Sequence, residues 1–132
     1  MNRERIKIGI ITPTTGKVDI EPAPPLDGVE VLRVVVADGV AAWEGNARRC
    51  DAWVCLPGDA AADAGATPRA VGATWAIGQG CNVIAFLDDD NRFMPDHLTN
   101  ALDMIAQGAE VVVSRRWNVS AVTGERMYVD IE

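Results

Sequence analysis

The sequence contains one histidine, three cysteines and no long apolar run, and each scarcity narrows what the chain can do. The histidine, His97, falls in the first turn of a predicted helix, where a capping or solvent role outweighs a ligand role. Cys50, Cys55 and Cys81 are odd in number and form neither a disulfide framework nor a C-x-x-C zinc pair. They are expected as buried free thiols in a reducing cytoplasm. No segment approaches the roughly 18 apolar residues needed to span a bilayer. The amino terminus, M-N-R-E-R-I-K-I-G-I, shows no cleavage pattern, so no signal peptide is expected and the location follows as cytoplasmic. Basic residues are outnumbered 12 to 19, giving a net charge of −7. That balance argues against a broad nucleic-acid or anionic-membrane surface and leaves room for a local basic pocket.

What is present describes an ordinary soluble domain: 132 residues, 48% hydrophobic and 23% charged, read as one domain over residues 1–132. Short apolar, β-branched runs predict strands over residues 6–12, broken by Pro13, then over 29–36, 52–56, 82–87 and 109–114. A sixth strand, over 126–131, alternates weakly and is assigned an antiparallel place. Two helices are well marked. One takes Thr67 as N-cap and Pro68 as its first residue and stops near Gly78 to Gly80. The other starts at Pro95 with Asp96 in its first turn, carries Leu98, Ala101, Leu102 and Ile105 on one face, and closes at Gly108. A weaker helix is predicted over 41–49. The prolines of E-P-A-P-P, residues 21–25, predict an extended first crossover. Strands separated by crossovers of this length define a layered α/β fold, an open, mostly parallel sheet with helices on both faces.

The most informative stretch is V-I-A-F-L-D-D-D-N, residues 83–91, where a buried-strand pattern runs straight into Asp88, Asp89 and Asp90. Open α/β sheets bind ligands at the carboxyl ends of their strands. Adjacent carboxylates repel one another unless solvent or a hard divalent cation screens them. The strand at V-V-V-A-D-G delivers a second carboxylate, Asp38, to the same edge; alone, Asp-Gly is more often turn chemistry than a site. The segment G-I-I-T-P-T-T-G-K, residues 9–17, is not a P-loop. Six residues separate its glycines instead of four, and Val18 follows Lys17 where a magnesium-binding hydroxyl belongs. What remains there is a strand ending in Pro13, Thr14 and Thr15, whose hydroxyls and amides either meet a ligand or form a plain turn.

Taken together, these segments resemble the nucleotide-binding half of family 2 glycosyltransferases, the GT-A fold. Pro13-Thr14 matches the turn after the family's first strand, and Ala37-Asp38-Gly39-Val40 its Asp-Asp-Gly-Ser turn. Arg69-Ala70-Val71-Gly72 matches Arg-Asn-x-Gly. Leu87 through Asn91, followed by Pro95-Asp96-His97-Leu98, matches Leu-Asp-x-Asp-Asp with its trailing Pro and helix. The likeness covers residues 6–116 and is most specific from 68 to 113. It departs from the family at Ala37, Val40 and Ala70, and in the proline-rich first crossover.

The resemblance implies a minimal, truncated GT-A domain that binds a nucleotide-sugar donor with Mn²⁺ or Mg²⁺. By analogy Asp90 ligates the metal bridging the diphosphate, and Asp88 holds the ribose or a metal-bound water. Pro13, Thr14, Thr15 and Asp38 hold the base and ribose. Arg69 reaches the Asp cluster or a phosphate, or else forms a structural salt bridge. The implied reaction transfers the sugar to an acceptor hydroxyl, with inversion; the acceptor is not named by the sequence. The chain stops about where the family's acceptor-binding half begins, which leaves the catalytic base unassigned, since Glu125, Asp130 and Glu132 lie in no catalytic motif. Arg115-Arg116-Trp117 either contacts a phosphate or sugar or is a surface strand end. A homo-oligomer or a partner chain is expected to complete the open side. Two alternatives stand beside this reading. One is a non-catalytic nucleotide-binding or interaction domain that keeps the fold. The other is a nucleotidyltransferase, which the lack of a Gly-rich, basic amino-terminal loop disfavours.

Overall fold

The computed structural model describes residues 5–16, 20, 22, 25–39, 50–57, 63–120 and 122–130. Four strands, β1 (Lys7–Thr14), β2 (Glu30–Asp38), β3 (Ala52–Leu56) and β4 (Val83–Phe86), form one sheet in the order β3-β2-β1-β4. All three pairings are parallel, with Ile11 opposite Val34 on one side and Phe86 on the other. Helix α1 (Ala66–Gly78) joins β3 to β4, and α2 (His97–Ala106) follows β4. Strands β5 (Arg116–Val119) and β6 (Arg126–Asp130) pair antiparallel as a separate hairpin.

The sheet is sandwiched because β1 and β2 are apolar on both faces. Ile8 and Ile10 pack with Ile6, Leu98 and Leu102 on one side. Ile11, Val34 and Val36 pack with Ala76 and Cys81 on the other. The two helices therefore cover opposite faces, as the parallel pattern predicts. Helix α1 sits unusually close to the sheet. A Cβ on Gly72 would lie 2.5 Å from Ile11 Cγ2, and one on Gly9 would lie 2.9 Å from the Ala76 Cβ. Two glycines facing each other's element thus set the helix height, and with it the height of everything at the helix's amino end.

Several expectations change. Strand β1 runs through Pro13 to Thr14. The Ile11 carbonyl accepts from Leu87 N at 3.0 Å, so by alternation the proline's missing donor faces β4, beyond that strand's end at Phe86. No ladder bond is lost there. Strand β4 starts at Val83 instead of Asn82, because the Asn82 side chain is spent on Lys7 N (2.9 Å) and the Arg5 carbonyl (2.8 Å). The valine run 109–114 is not a strand, and Val111 and Val113 are 79% and 83% exposed. A β-branched run makes a strand only where an edge receives it, and the next strand forms at β5 instead. The N-cap of α1 is Gly65, not Thr67, which lies inside the helix. The second helix begins at His97, two residues after Pro95. Cys81 is buried and Cys50 half-buried, but Cys55 is exposed, beside the Trp53 indole nitrogen at 3.1 Å. The helix predicted over 41–49 lies outside the described residues, as does most of the 21–25 crossover.

One charge lies within the sheet layer. Arg33 on β2 is 2% exposed, and its Nη1 donates to Thr12 Oγ1 at 2.5 Å. Burial pushes the guanidinium down to about 10.

Candidate functional site

In a sheet ordered β3-β2-β1-β4 the chain direction of the crossovers reverses between β1 and β4, and a crevice opens at the carboxyl ends of these two strands. A cleft of about 290 Å³ lies at this edge. Among the described residues it is lined by Pro13, Thr14 and Thr15 from the end of β1, Asp38 from the end of β2, and Arg69 from the first turn of α1. Ala64 and Gly65 precede that helix, and Asp88, Asp89 and Asp90 follow β4. Pro13, Thr14, Thr15, Asp38, Arg69, Asp88 and Asp90 therefore face one cavity, although they come from four separate parts of the chain. Arg115 and Arg116 are not among its described lining residues, and the side chain of Trp117 lies outside the described residues.

Local chemistry fixes each contributor. Asn91 N donates to the Asp88 carbonyl at 3.1 Å, so residues 88–91 close a β-turn with Asp89 and Asp90 at its centre. Asp90 is exposed, whereas Asp88 and Asp89 are half-buried. The Thr14 hydroxyl donates to Asp89 Oδ2 at 2.9 Å and accepts from Gly16 N at 3.0 Å. This pair ties the ends of β1 and β4 across the crevice. Gly39 N donates to the Leu56 carbonyl at 3.0 Å, which holds the end of β2, and so Asp38, against β3.

Arg69 is clamped at both ends of its guanidinium. Nη2 donates to Asp88 Oδ1 at 2.7 Å, and Nη1 donates to the Ala64 carbonyl at 3.0 Å. The carbonyl is available because Ala64 and Gly65 both have positive φ, 55° and 85°, which turns the chain sharply into α1. Arg69 therefore reaches the Asp cluster through a salt bridge to Asp88. The backbone donors at the amino end of α1 are already committed. Thr67 N goes to Asp63 Oδ2 (3.0 Å), Ala66 N to the Asp63 carbonyl (3.2 Å) and Arg69 N to the Gly65 carbonyl (3.1 Å). Pro68 has no donor to offer. The Thr67 hydroxyl also donates to Asp63, and together these bonds hold the Asp63 carboxyl below its usual range. The positive group this helix presents to the cleft is therefore a side chain, the Arg69 guanidinium.

Two contributors were not legible beforehand. Asp89, which stands at the unspecified position of Leu-Asp-x-Asp-Asp, is the residue that bonds Thr14. The Ala64–Gly65 turn carried no signal beyond a glycine in the wrong register for the expected cap. His97 stacks on Phe93 with ring centroids 4.8 Å apart, and burial pushes its imidazole below the ordinary value. Glu125 belongs to the hairpin turn and does not line the cleft. The side chain of Asp130 and all of Glu132 lie outside the described residues. Among the described residues no three His, Cys, Asp or Glu side chains converge as a ready metal centre, and no helix is long and apolar enough to cross a membrane.

An all-parallel sheet with helices on both faces and a carboxylate-lined cleft at its switch point fits a truncated α/β fold of GT-A type. The family model for glycosyl transferase family 2 matches residues 66–131, half of the sequence, and the chain belongs to that family. The match takes in α1, β4, the 88–90 turn, α2 and the hairpin; Thr14 and Asp38 reach the cleft from outside it. No curated protein and no solved structure matches the chain.

Proposed function

We propose that the cleft binds a nucleotide-sugar together with a divalent cation, and that the protein transfers the sugar to an acceptor hydroxyl with inversion. The observation that carries this reading is the convergence of Pro13, Thr14, Thr15, Asp38, Arg69, Asp88 and Asp90 on one cleft at the sheet's switch point. Family 2 members typically take nucleotide-sugar donors, and the match includes the aspartate turn.

The donor set supports a particular kind of cation. It is all carboxylate oxygen, which suits Mg²⁺ or Mn²⁺ and not a soft metal. One oxygen of Asp88 is held by Arg69 and one of Asp89 by Thr14, while Asp90 is exposed. This set fits an ion that shares its shell with diphosphate oxygens, as Mg²⁺ sites commonly do. Asp90 would hold the ion, with Asp88 beside it. When bound, the ion supplies Lewis-acid stabilisation of the charge on the departing diphosphate. The chain's own residues do the rest. Asp38 and the Pro13 to Thr15 turn orient the nucleoside, and the Thr14–Asp89 bond keeps the two halves of the cleft in register. Arg69 adds positive charge at the phosphate end.

A second reading, nucleotide binding without transfer, is favoured by the place of Glu125 in the hairpin, away from the cleft. Incubation with UDP- and GDP-sugars and Mn²⁺, followed by assay of released nucleoside diphosphate, separates the two. Release stimulated by an added hydroxyl acceptor supports transfer. Tight binding with no release supports the second reading.

A further inference from the structure

The cleft carries its own internal cation, and its placement has a consequence for metal dependence. Arg69 holds Asp88 Oδ1 at 2.7 Å while its other arm is anchored on the Ala64 carbonyl at 3.0 Å. That anchor is built in. Gly65, at φ 85°, is the residue over which the guanidinium lies, and a Cβ there would come within 3.0 Å of Arg69 Nη1. Because the arginine is on the first turn of α1, the close seating of that helix through Gly72 on Ile11 fixes its reach. The backbone donors of the same helix end are committed elsewhere, so Arg69 supplies this end's positive charge without help from free amides.

We infer that Arg69 is a positioning residue that partly neutralises Asp88, so that a divalent ion binds weakly to the protein alone and tightly only when it arrives with a diphosphate. The inference rests on the nucleotide-sugar reading of the cleft. Its physical basis is charge competition. Among the described residues four carboxylates line the cleft, Asp38, Asp88, Asp89 and Asp90, and the guanidinium bonded to one of them repels a dication. The same guanidinium attracts a diphosphate, which a bare acidic cleft repels. Removing it therefore moves two affinities in opposite directions. Mn²⁺ binding to the protein alone tightens, and metal-free binding of a nucleoside diphosphate weakens. A merely structural role for the salt bridge would move both the same way, through loosening of the fold.

The test compares the wild type with Arg69→Gln by titration, using Mn²⁺ alone, nucleoside diphosphates (UDP, GDP, dTDP and CDP) without metal, and the two together. Thermal melting checks the fold. Expected are about tenfold tighter Mn²⁺ binding and about tenfold weaker metal-free diphosphate binding. Arg69→Lys, which keeps the charge but loses the forked anchor on the Ala64 carbonyl, is expected between the two and serves if the glutamine variant does not fold. Equal or same-direction changes in a folded variant overturn the inference while leaving the nucleotide site standing, provided the wild type binds diphosphate with Mn²⁺. If the wild type binds no diphosphate under any condition, the site reading itself fails and takes the inference with it.

Discussion

The two ends of the sheet treat their polar groups in opposite ways. At the amino-terminal end, the Lys7 ammonium donates to the Gln79 carbonyl at 2.9 Å and pairs with Glu30 at 3.2 Å. Asn82 bridges Lys7 N and the Arg5 carbonyl with its side chain, while its own backbone N bonds the Lys7 carbonyl at 3.0 Å. Donors and acceptors there answer one another, and Lys7 meets the opposite charge of Glu30. At the carboxyl-terminal end, among the described residues, four carboxylates face a cleft that holds one guanidinium. An end that closes its own hydrogen bonds is structural, whereas an end that accumulates like charge is arranged for something that arrives from outside. Like charges gathered at one edge repel one another, and a fold retains such an arrangement where a ligand offsets it.

That contrast can be broken by substitutions at either end. The largest effect is expected from Asp90→Ala. Losing an exposed turn carboxylate should leave stability within about 0.5 kcal/mol of wild type while weakening Mn²⁺-dependent diphosphate binding roughly a hundredfold, about 2.7 kcal/mol. Calorimetric titration alongside a thermal melt reads both. Unchanged metal-dependent affinity in a folded variant would sink the metal assignment.

Next is Gly72→Ala, which probes the helix seat between the two ends. On an exposed helix this change stabilises by up to about 1 kcal/mol. Here the added Cβ falls 2.5 Å from Ile11 Cγ2 and 3.0 Å from Val36 Cγ2, so overpacking should win by about 1 to 3 kcal/mol. Urea denaturation should show the loss, with diphosphate affinity falling as Arg69 is lifted from Asp88. A stabilised variant would mean that α1 can rise without strain.

Asn82→Ala should do the reverse of Asp90→Ala. It removes two side-chain bonds at the closed end, costing about 1 kcal/mol of stability with no change in diphosphate affinity. A binding defect there would erase the distinction between the ends.

The smallest effect concerns pH. The His97 imidazole is held below its ordinary value of 6.5 by burial against Phe93, so the unfolded chain binds this proton more readily than the folded one. Its contribution is intact above that value and declines as pH falls below it towards the folded-state value. Denaturation midpoints between pH 5 and 8 should slope less steeply in His97→Gln than in the wild type, and equal slopes would assign the dependence to other groups.

Much of this was legible in the sequence, and the exceptions share a cause. Residues 52–56 were readable as β3 to the residue, and the apolar runs of β1, β2 and β4 to within one or two positions, because short apolar, β-branched runs mark strands even where, as in β3 and β4, the side chains are only partly buried. The convergence of Asp38, Arg69 and residues 88–90 followed from parallel topology, which sends all strand ends one way. What failed depended on partners that no local pattern reports. Val111 to Val113 has strand propensity, yet the run pairs with no strand. Pro13 stays in β1 because its missing donor faces past the end of β4. The α1 cap moved to Gly65 because Asp63 reaches forward to Thr67, a contact spaced four residues apart that reads like any loop aspartate.

The measurement that bears most directly on the whole account is isothermal titration of UDP, GDP, dTDP and CDP into the purified protein, each with and without Mn²⁺. The account predicts binding of one of the four, strengthened by the metal, which would name the base. No binding of any nucleotide, with or without metal, would contradict it and leave the family likeness as one of architecture alone.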